Sequence, residues 1–271
     1  MSTQIVEKDA PKPGPRATWM AGDFGRIAVY TEPEARRFIS RLKIPACSDV
    51  LDVACGTGNL SIAAAQLGAR VRGLDIAPNL IEQARSRAGS AGLKIQFDEG
   101  DAEALPYKDE SFDFALSMYG AMFAPRARRV AAELIRVCRH GGVIAMANWT
   151  PSGFIGEMLR LIAASSPASS GASSPAAWGD EEIVRERLGD GVSELRLKRR
   201  MHVMKFPFNV AETVEFFRLY YGPVYRTFAL LEAHRRATLR LELEQLWSKY
   251  NLAPDGSTQV KAEYLEVVAR R

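Results

Sequence analysis

The sequence predicts a doubly wound α/β fold, and three observations carry that prediction. The first is the stretch from Val50 to Asp75. An apolar run, Val50-Leu51-Asp52-Val53, enters the turn Ala54-Cys55-Gly56-Thr57-Gly58-Asn59. An alanine-rich helical segment follows, and a second apolar run, Val71-Arg72-Gly73-Leu74, ends on the carboxylate of Asp75. This is the pattern of a nucleotide-binding βαβ unit. The second observation is that short apolar runs keep alternating with helical patterns as far as Trp149, as in parallel sheets with crossover helices. The third is size: 271 residues, 47% hydrophobic and 25% charged, suit one large α/β domain with insertions.

The same figures narrow the function. A net charge of +4 is mild and does not argue for nucleic acid, which favours clustered basic surface. Residues 1–16 are polar and proline-rich, without an apolar signal core, and read as a disordered tail. No run approaches the roughly eighteen apolar residues of a membrane span, so a cytoplasmic protein is expected. Cys47, Cys55 and Cys138 are far apart and form no Cys-x-x-Cys pair. They read as structural thiols, with no metal site and no disulfide framework.

Gly56 and Gly58 let the backbone turn sharply and let a ligand approach closely. Asn59 is placed to cap the next helix, whose first amides then point at the ligand. Asp75 can accept both hydroxyls of a ribose. A dinucleotide fingerprint would need Gly-x-Gly-x-x-Gly. The two registers give Ala54, Gly56, Asn59 and Gly56, Gly58, Ser61, and neither is clean. Asp52, late in the first strand, would repel a pyrophosphate but suits the ammonium end of a methionine moiety. Asp52-Val53-Ala54-Cys55-Gly56-Thr57-Gly58 resembles the first motif of class I S-adenosylmethionine-dependent methyltransferases. Ala54 departs from it, standing where the family usually has its first glycine.

The resemblance implies a seven-stranded, mostly parallel sheet whose last strand is antiparallel and inserts between the fifth and sixth. It implies S-adenosylmethionine as cofactor, held by Asp52, Ala54, Gly56, Gly58, Asn59, Asp75, Ile76, Asp101, Ala102, Ser117 and Met118. Within that set Asp101 accepts the adenine amino group, and the backbone near Ala102 meets the ring edge. It covers about 45–150 well. Asp101-Ala102-Glu103-Ala104-Leu105-Pro106 and Met122-Phe123-Ala124-Pro125 look like the ubiquinone and menaquinone biosynthesis type, which acts on small molecules.

Along the chain, 17–45 read as a helical lid, with a helix ending near Leu42 and with Trp19, Phe24 and Tyr30 set either against a ligand or into packing. The cofactor-binding core is 46–150. Its strands are expected at 49–54, 70–75, 94–98, 112–117 and 143–149. Its helices are expected at 59–68, from Pro78 to 88, and at 126–139, closed by His140-Gly141-Gly142. Pro78 suits a first helical turn, and Val130, Leu134, Ile135 and Cys138 share one helix face. A short helix covers 153–163, and 165–175, rich in serine, alanine and proline, form a loop. Asp180 is placed to cap a helix. Strands six and seven, at 194–204 and 260–269, pair antiparallel around a helical insertion at 207–256. That insertion reads as a short helix from Ala211 and a long one over 224–249.

The cofactor carries the hard step in this chemistry, so positioning of the acceptor by the chain dominates. Tyr119 and His234 are the only candidates for a general base; His140 and His202 read as structural. The insertion is dense in aromatic residues, and Phe217, Tyr220 and Tyr221, with Tyr119, Met122 and Trp149, are expected to line an apolar pocket for an aromatic or hydrophobic acceptor. The other reading of these rings is that they anchor the insertion. A non-catalytic cofactor-binding regulatory or assembly protein is the alternative function. A thiol-dependent arsenical methyltransferase is disfavoured, and the Asn-Pro-Pro-Tyr-type motif expected for methylation of nucleic-acid bases is replaced by Ser117-Met118-Tyr119-Gly120. A homodimer is a possible assembly.

Overall fold

The computed structural model describes residues 14–165 and 174–271. The strands are β1 (Asp49–Val53), β2 (Arg70–Asp75), β3 (Gln96–Glu99), β4 (Phe112–Met118), β5 (Cys138–Trp149), β6 (Glu194–Phe206) and β7 (Thr258–Arg270). They form one sheet in the order β3-β2-β1-β4-β5-β7-β6. β7 runs antiparallel to both of its neighbours, and the pairs from β3 to β5 are parallel. This is the Rossmann-like methyltransferase topology that the resemblance implies. Val50, Leu51 and Val53 of β1 and Ala115 and Leu116 of β4 are wholly buried, as central strands covered on both faces must be. β6 is an edge strand, and Lys198, Arg199, Arg200 and Lys205 give it the charge that discourages edge-to-edge pairing.

Three helices precede the sheet: α1 (Pro15–Trp19), α2 (Phe24–Ala28) and α3 (Glu32–Leu42). α4 (Asn59–Ala65) packs on β1 and β2, α5 (Pro78–Ser90) on β2 and β3, and α6 (Ala127–Val137) on β4 and β5. α7 (Phe154–Ser165) and α8 (Glu181–Leu188) lead to β6. The insertion between β6 and β7 holds α9 (Val210–Tyr220), α10 (Gly222–Leu230) and α11 (Ala233–Tyr250). Local chemistry accounts for several boundaries. Asp180 caps α8 by accepting from the amides of Glu182 and Ile183, and Asn209 with Glu212 forms a reciprocal capping box on α9.

Some boundaries depart from expectation. The tail reading for 1–13 lies outside the described residues, but Pro15 and Arg16 open α1 rather than a tail. Most of the 165–175 loop, residues 166–173, is likewise outside them, and Pro175 begins a single 3-10 turn. The helix expected over 126–139 stops at Val137. His140-Gly141-Gly142 lies inside β5 instead of forming a separate turn, because Arg271 exchanges backbone hydrogen bonds with Gly141 and Gly142. The long insertion helix is broken at Leu231 and Glu232, both extended, which buries Leu231 at the break.

α3 is fixed to the sheet by a buried polar cluster. Tyr264 on β7 donates to Glu34 at 2.7 Å, and Arg41 donates to Tyr264 at 2.8 Å and to Glu266 at 2.7 Å. Glu34 and Glu266 are 3% and 6% exposed, so each needs these partners to offset its desolvation. Tyr264→Phe removes two charge-assisted hydrogen bonds, one to Glu34 and one from Arg41, and is expected to cost at least about 1.5–3 kcal/mol. Urea unfolding checks this, and an unchanged midpoint would mean the cluster does not anchor α3.

Candidate active site

A cleft of about 950 Å³, part of it open to solvent, lies at the carboxyl ends of the central strands, where open α/β sheets bind ligands. Its floor is the turn after β1. The backbone there is unusual: Ala54 has φ +56°, Gly56 +53° and Gly58 +82°. A left-handed conformation costs an alanine roughly 1–2 kcal/mol, so the surroundings must hold it. One restraint is Asp75, which is buried and accepts from the amides of Gly56 (2.8 Å) and Ala77 (2.9 Å). Another is Gly120, where an added Cβ would meet the carbonyl oxygen of Ala54 at 2.4 Å. The turn after β4 is thus pressed backbone to backbone against the glycine loop.

Asp52 is 2% exposed and accepts from the amide and hydroxyl of Ser61 at 3.0 and 2.6 Å. Burial pushes its carboxyl up to about 7, with the Ser61 bonds opposing and the charge of Asp75 adding to the rise. Burial also raises Asp75, against its backbone hydrogen bonds. Asp101 lies beyond β3 and accepts from the amide of Glu103 at 2.9 Å. Since β3, β2, β1 and β4 are consecutive in the sheet, Asp101, Asp75 and Asp52 form a row along the cleft. The turn after β4 continues it with Tyr119, Ala121, Phe123, Ala124 and Pro125. Over this row lie Trp19 and Phe24 of the N-terminal helices. Trp19 meets the edges of Phe24, Phe123 and Tyr221 with centroids 5.5, 5.0 and 6.0 Å apart.

The expected cofactor residues Asp52, Ala54, Gly56, Asn59, Asp75, Ile76, Asp101, Ala102 and Met118 all line this cleft. Gly58 and Ser117 are not on its surface. Gly58 shapes the loop beneath, over Phe97 and Ala84. The Ser117 hydroxyl donates to Val53 O (2.8 Å) and accepts from Ala121 N (3.0 Å), which ties β4 to β1. Asn59 does not cap α4 with its side chain; Gly58 occupies the cap position and Asn59 is the first helical residue.

The expected acceptor residues are mostly elsewhere. Tyr119 reaches the wall with a left-handed backbone, φ +57°, and its ring stacks on Trp149 at 3.6 Å. Its hydroxyl is sealed without a hydrogen-bond partner, and burial holds its pKa well above that of free tyrosine, so it is not poised as a base. His234 is exposed on α11 beside Glu232 and outside the cleft. His202 is buried, with its Nε2 3.1 Å from Tyr30 O and its pKa lowered by burial to about 4. Met122, Trp149, Phe217 and Tyr221 are buried, and neither they nor Tyr220 line the cleft. Phe217 packs on Phe206 and Trp247, and Tyr221 backs Trp19 and Phe24. The insertion's rings therefore serve as anchors. Cys55, Thr57, Phe123, Ala124 and Pro125 also line the cleft without being named as site residues above; the signal for Cys55 and Thr57 is their place inside the glycine-loop motif, and that for Phe123, Ala124 and Pro125 is the Met122-Phe123-Ala124-Pro125 turn after β4.

A family described as a methyltransferase domain matches residues 50–142, the span that contains this cleft's floor. The chain belongs to the class I S-adenosylmethionine-dependent methyltransferases. An uncharacterized protein of Mycobacterium tuberculosis is 38% identical over 99% of this methyltransferase and 98% of its own chain. The solved structure of a candidate methyltransferase from Bacillus halodurans superposes with a TM-score of 0.61 at 17% identity, over 88% of this chain and 98% of that one. A Haemonchus contortus phosphoethanolamine N-methyltransferase, solved with S-adenosylhomocysteine, superposes with a TM-score of 0.55 at 14% identity, over 88% and 52%. The cofactor of this methyltransferase is S-adenosylmethionine.

The two close backbone contacts predict opposite responses. Ala54→Gly relieves a left-handed alanine, offset by the extra freedom glycine has when unfolded, and should leave stability within about 1 kcal/mol. Gly120→Ala forces apart two backbones and should cost about 1–3 kcal/mol or more. Thermal unfolding of the two variants checks the pair; a Gly120→Ala protein as stable as the parent would mean the loops are not in contact.

Proposed function

We propose that this methyltransferase acts on a small, uncharged, aromatic or hydrophobic acceptor, by in-line displacement that relies mainly on positioning. The carrying observation is the division of the cleft. Its acidic row lies over β3, β2 and β1 and is roofed by Trp19 and Phe24, and the apolar residues Phe123, Ala124 and Pro125 of the turn after β4 close its far end. The row fits the cofactor in sequence. Asp101 and the backbone at Ala102 suit the adenine, Asp75 and Ile76 the ribose, and Asp52 the ammonium group. Both oxygens of Asp75 already accept one backbone amide, and each has a second lone pair for a hydroxyl. Gly56 and Ala54 keep the loop low, so that the backbone itself meets the ligand.

Bound S-adenosylmethionine supplies an electrophilic methyl group on a sulfonium. The chain supplies the rest. Apolar walls hold the acceptor and exclude water, and good alignment alone is worth roughly 7–11 kcal/mol. Among the described residues that line the cleft there is no histidine, lysine, arginine or glutamate. With the Tyr119 hydroxyl sealed, the acceptor's own nucleophilic atom must present its lone pair.

Two measurements test this reading. Across matched acceptors, kcat/KM should favour the neutral aromatic member over its carboxylate-bearing analogue; equal rates would sink the assignment. The second is cofactor affinity. Asp75→Ala should weaken S-adenosylhomocysteine by about 1.5–3 kcal/mol in calorimetry. The ammonium group prefers ionised Asp52, which carries a proton below about 7. Affinity should therefore be full at higher pH and fall as pH drops through that value, approaching about tenfold per pH unit. Asp52→Asn should bind weakly and without that dependence. A wild-type affinity independent of pH between 6 and 8 (a window of about one unit on either side of that value) would show that Asp52 does not hold the ammonium.

A further inference from the structure

The glycine loop and the N-terminal helices share a set of hydrogen bonds made by the side chain of Asn59, which also borders the cofactor cleft. Asn59 Nδ2 donates to Ala28 O at 2.9 Å and to Thr31 Oγ1 at 3.1 Å, and Asn59 Oδ1 accepts from Arg87 Nη1 at 2.7 Å. Arg87 also donates to Thr57 O at 2.7 Å and to Glu32 at 2.9 Å. Both ends of the Asn59 amide are thereby engaged. Three segments meet at this point: the loop at Thr57 and Asn59, α5 at Arg87, and the α2–α3 turn at Ala28, Thr31 and Glu32.

We infer that Asn59 is a positioning residue that latches the N-terminal helices over the cleft, with Arg87 as its brace. The part that concerns the acceptor wall rests on the function proposed above. Ala28 is the last residue of α2 and Phe24 the first, so holding the carbonyl of Ala28 fixes that short helix. Phe24 then lies over Gly56, 3.7 Å from where a Cβ would stand, and supports Trp19 against Phe123. The latch is attached directly to the loop on which the cofactor rests. Ordering of the loop by the cofactor therefore orders the apolar wall, which couples the two subsites. Further attachments of this segment are at other points: Arg16 pairs with Glu99 in an exposed bridge, Gln83 donates to Asp23, Asp23 N donates to Tyr220 O, and His202 Nε2 lies 3.1 Å from Tyr30 O. None of these contacts the glycine loop.

The test is hydrogen exchange of the whole chain with S-adenosylhomocysteine, saturation being set by calorimetry. In the wild type, amides of 24–31 should slow on saturation. Arg87→Met, at a residue outside the cleft, removes the brace and should bind the same ligand with Kd raised less than about tenfold, yet leave those amides exchanging at least about tenfold faster than the wild type at saturation. Asn59→Ala, whose side chain also borders the cleft, should lose the same protection at its own saturation. Asp101→Ala, which leaves the glycine loop and its restraint by Asp75 in place, should do the reverse, with weaker binding but wild-type protection once saturated. Thr31→Val removes one of the two bonds that Asn59 makes to the α2–α3 turn and leaves the one to Ala28 O; it covers the case in which Asn59→Ala does not fold and should lose part of the same protection. Wild-type protection in both Asn59→Ala and Thr31→Val, or in whichever of them folds, would overturn the latch. So would an Arg87→Met protein that behaves like Asp101→Ala. Absence of any binding heat in the wild type would instead count against the cofactor cleft itself.

Discussion

The buried carboxylate of Asp75 is the constraint from which the site follows. It stands at the end of β2 and holds the amide of Gly56 in the turn after β1, while Cys55 N donates to Leu74 O at 2.9 Å beside it. Two strands of the sheet thus grip one loop. A carboxylate with 6% exposure is costly to bury, and the amides it accepts from reduce that cost. Because the loop is held, Ala54 keeps a backbone that alanine disfavours, and its carbonyl can lie against Gly120. The turn after β4 is kept there by Ser117, which bonds Val53 O and Ala121 N. The shape of the cleft is a consequence of these contacts more than of the residues that face it.

The same logic explains the division of labour among polar groups. Ser61 stabilises ionised Asp52 but does not overcome its burial, leaving a group that titrates near neutrality and responds to a cationic ligand. Ser117 serves the joint between β1 and β4. Glu34, Arg41, Tyr264 and Glu266 fasten α3 to β7, which gives the segment ahead of it a fixed base. The N-terminal helices bring Trp19 and Phe24 to the cleft with α3 held on β7, Asp23 held by Gln83 and by the backbone at Tyr220, and Asn59 reaching Ala28. The aromatic rings of the insertion, in contrast, pack on Phe206 and Trp247 and back this roof from behind.

Much of the fold was legible in the residues. The βαβ signature, the row of carboxylates at strand ends and the apolar face of α6 depend on local periodicity and on turn chemistry, and these survive in any tertiary setting. Asn59 was misread because an asparagine after a glycine satisfies a capping pattern. Here Gly58 takes that position, and the amide finds partners twenty-eight or more residues away in sequence. The break at Leu231 carries neither glycine nor proline; it exists because burying Leu231 outweighs continuing the helix. The strand status of 138–142 depends on pairing with the chain's last residue, which no local pattern encodes.

The residues alone carry the βαβ unit with its glycine loop and Asp75, and the family resemblance of that motif implies the strand order that brings Asp52, Asp75 and Asp101 to one sheet edge. The same resemblance implies the cofactor class, through Asp52 and the loop that follows it. Only the tertiary structure decided which aromatic residues face the cleft. Phe217, Tyr220 and Tyr221 have the composition of a pocket, while Trp19, Phe24 and Phe123 line one. Composition records how much apolar surface must be buried, and burial is satisfied equally by a core or by a ligand. Which of the two occurs depends on where helices far apart in sequence come to rest, here on Asn59 holding α2 and on β7 holding α3.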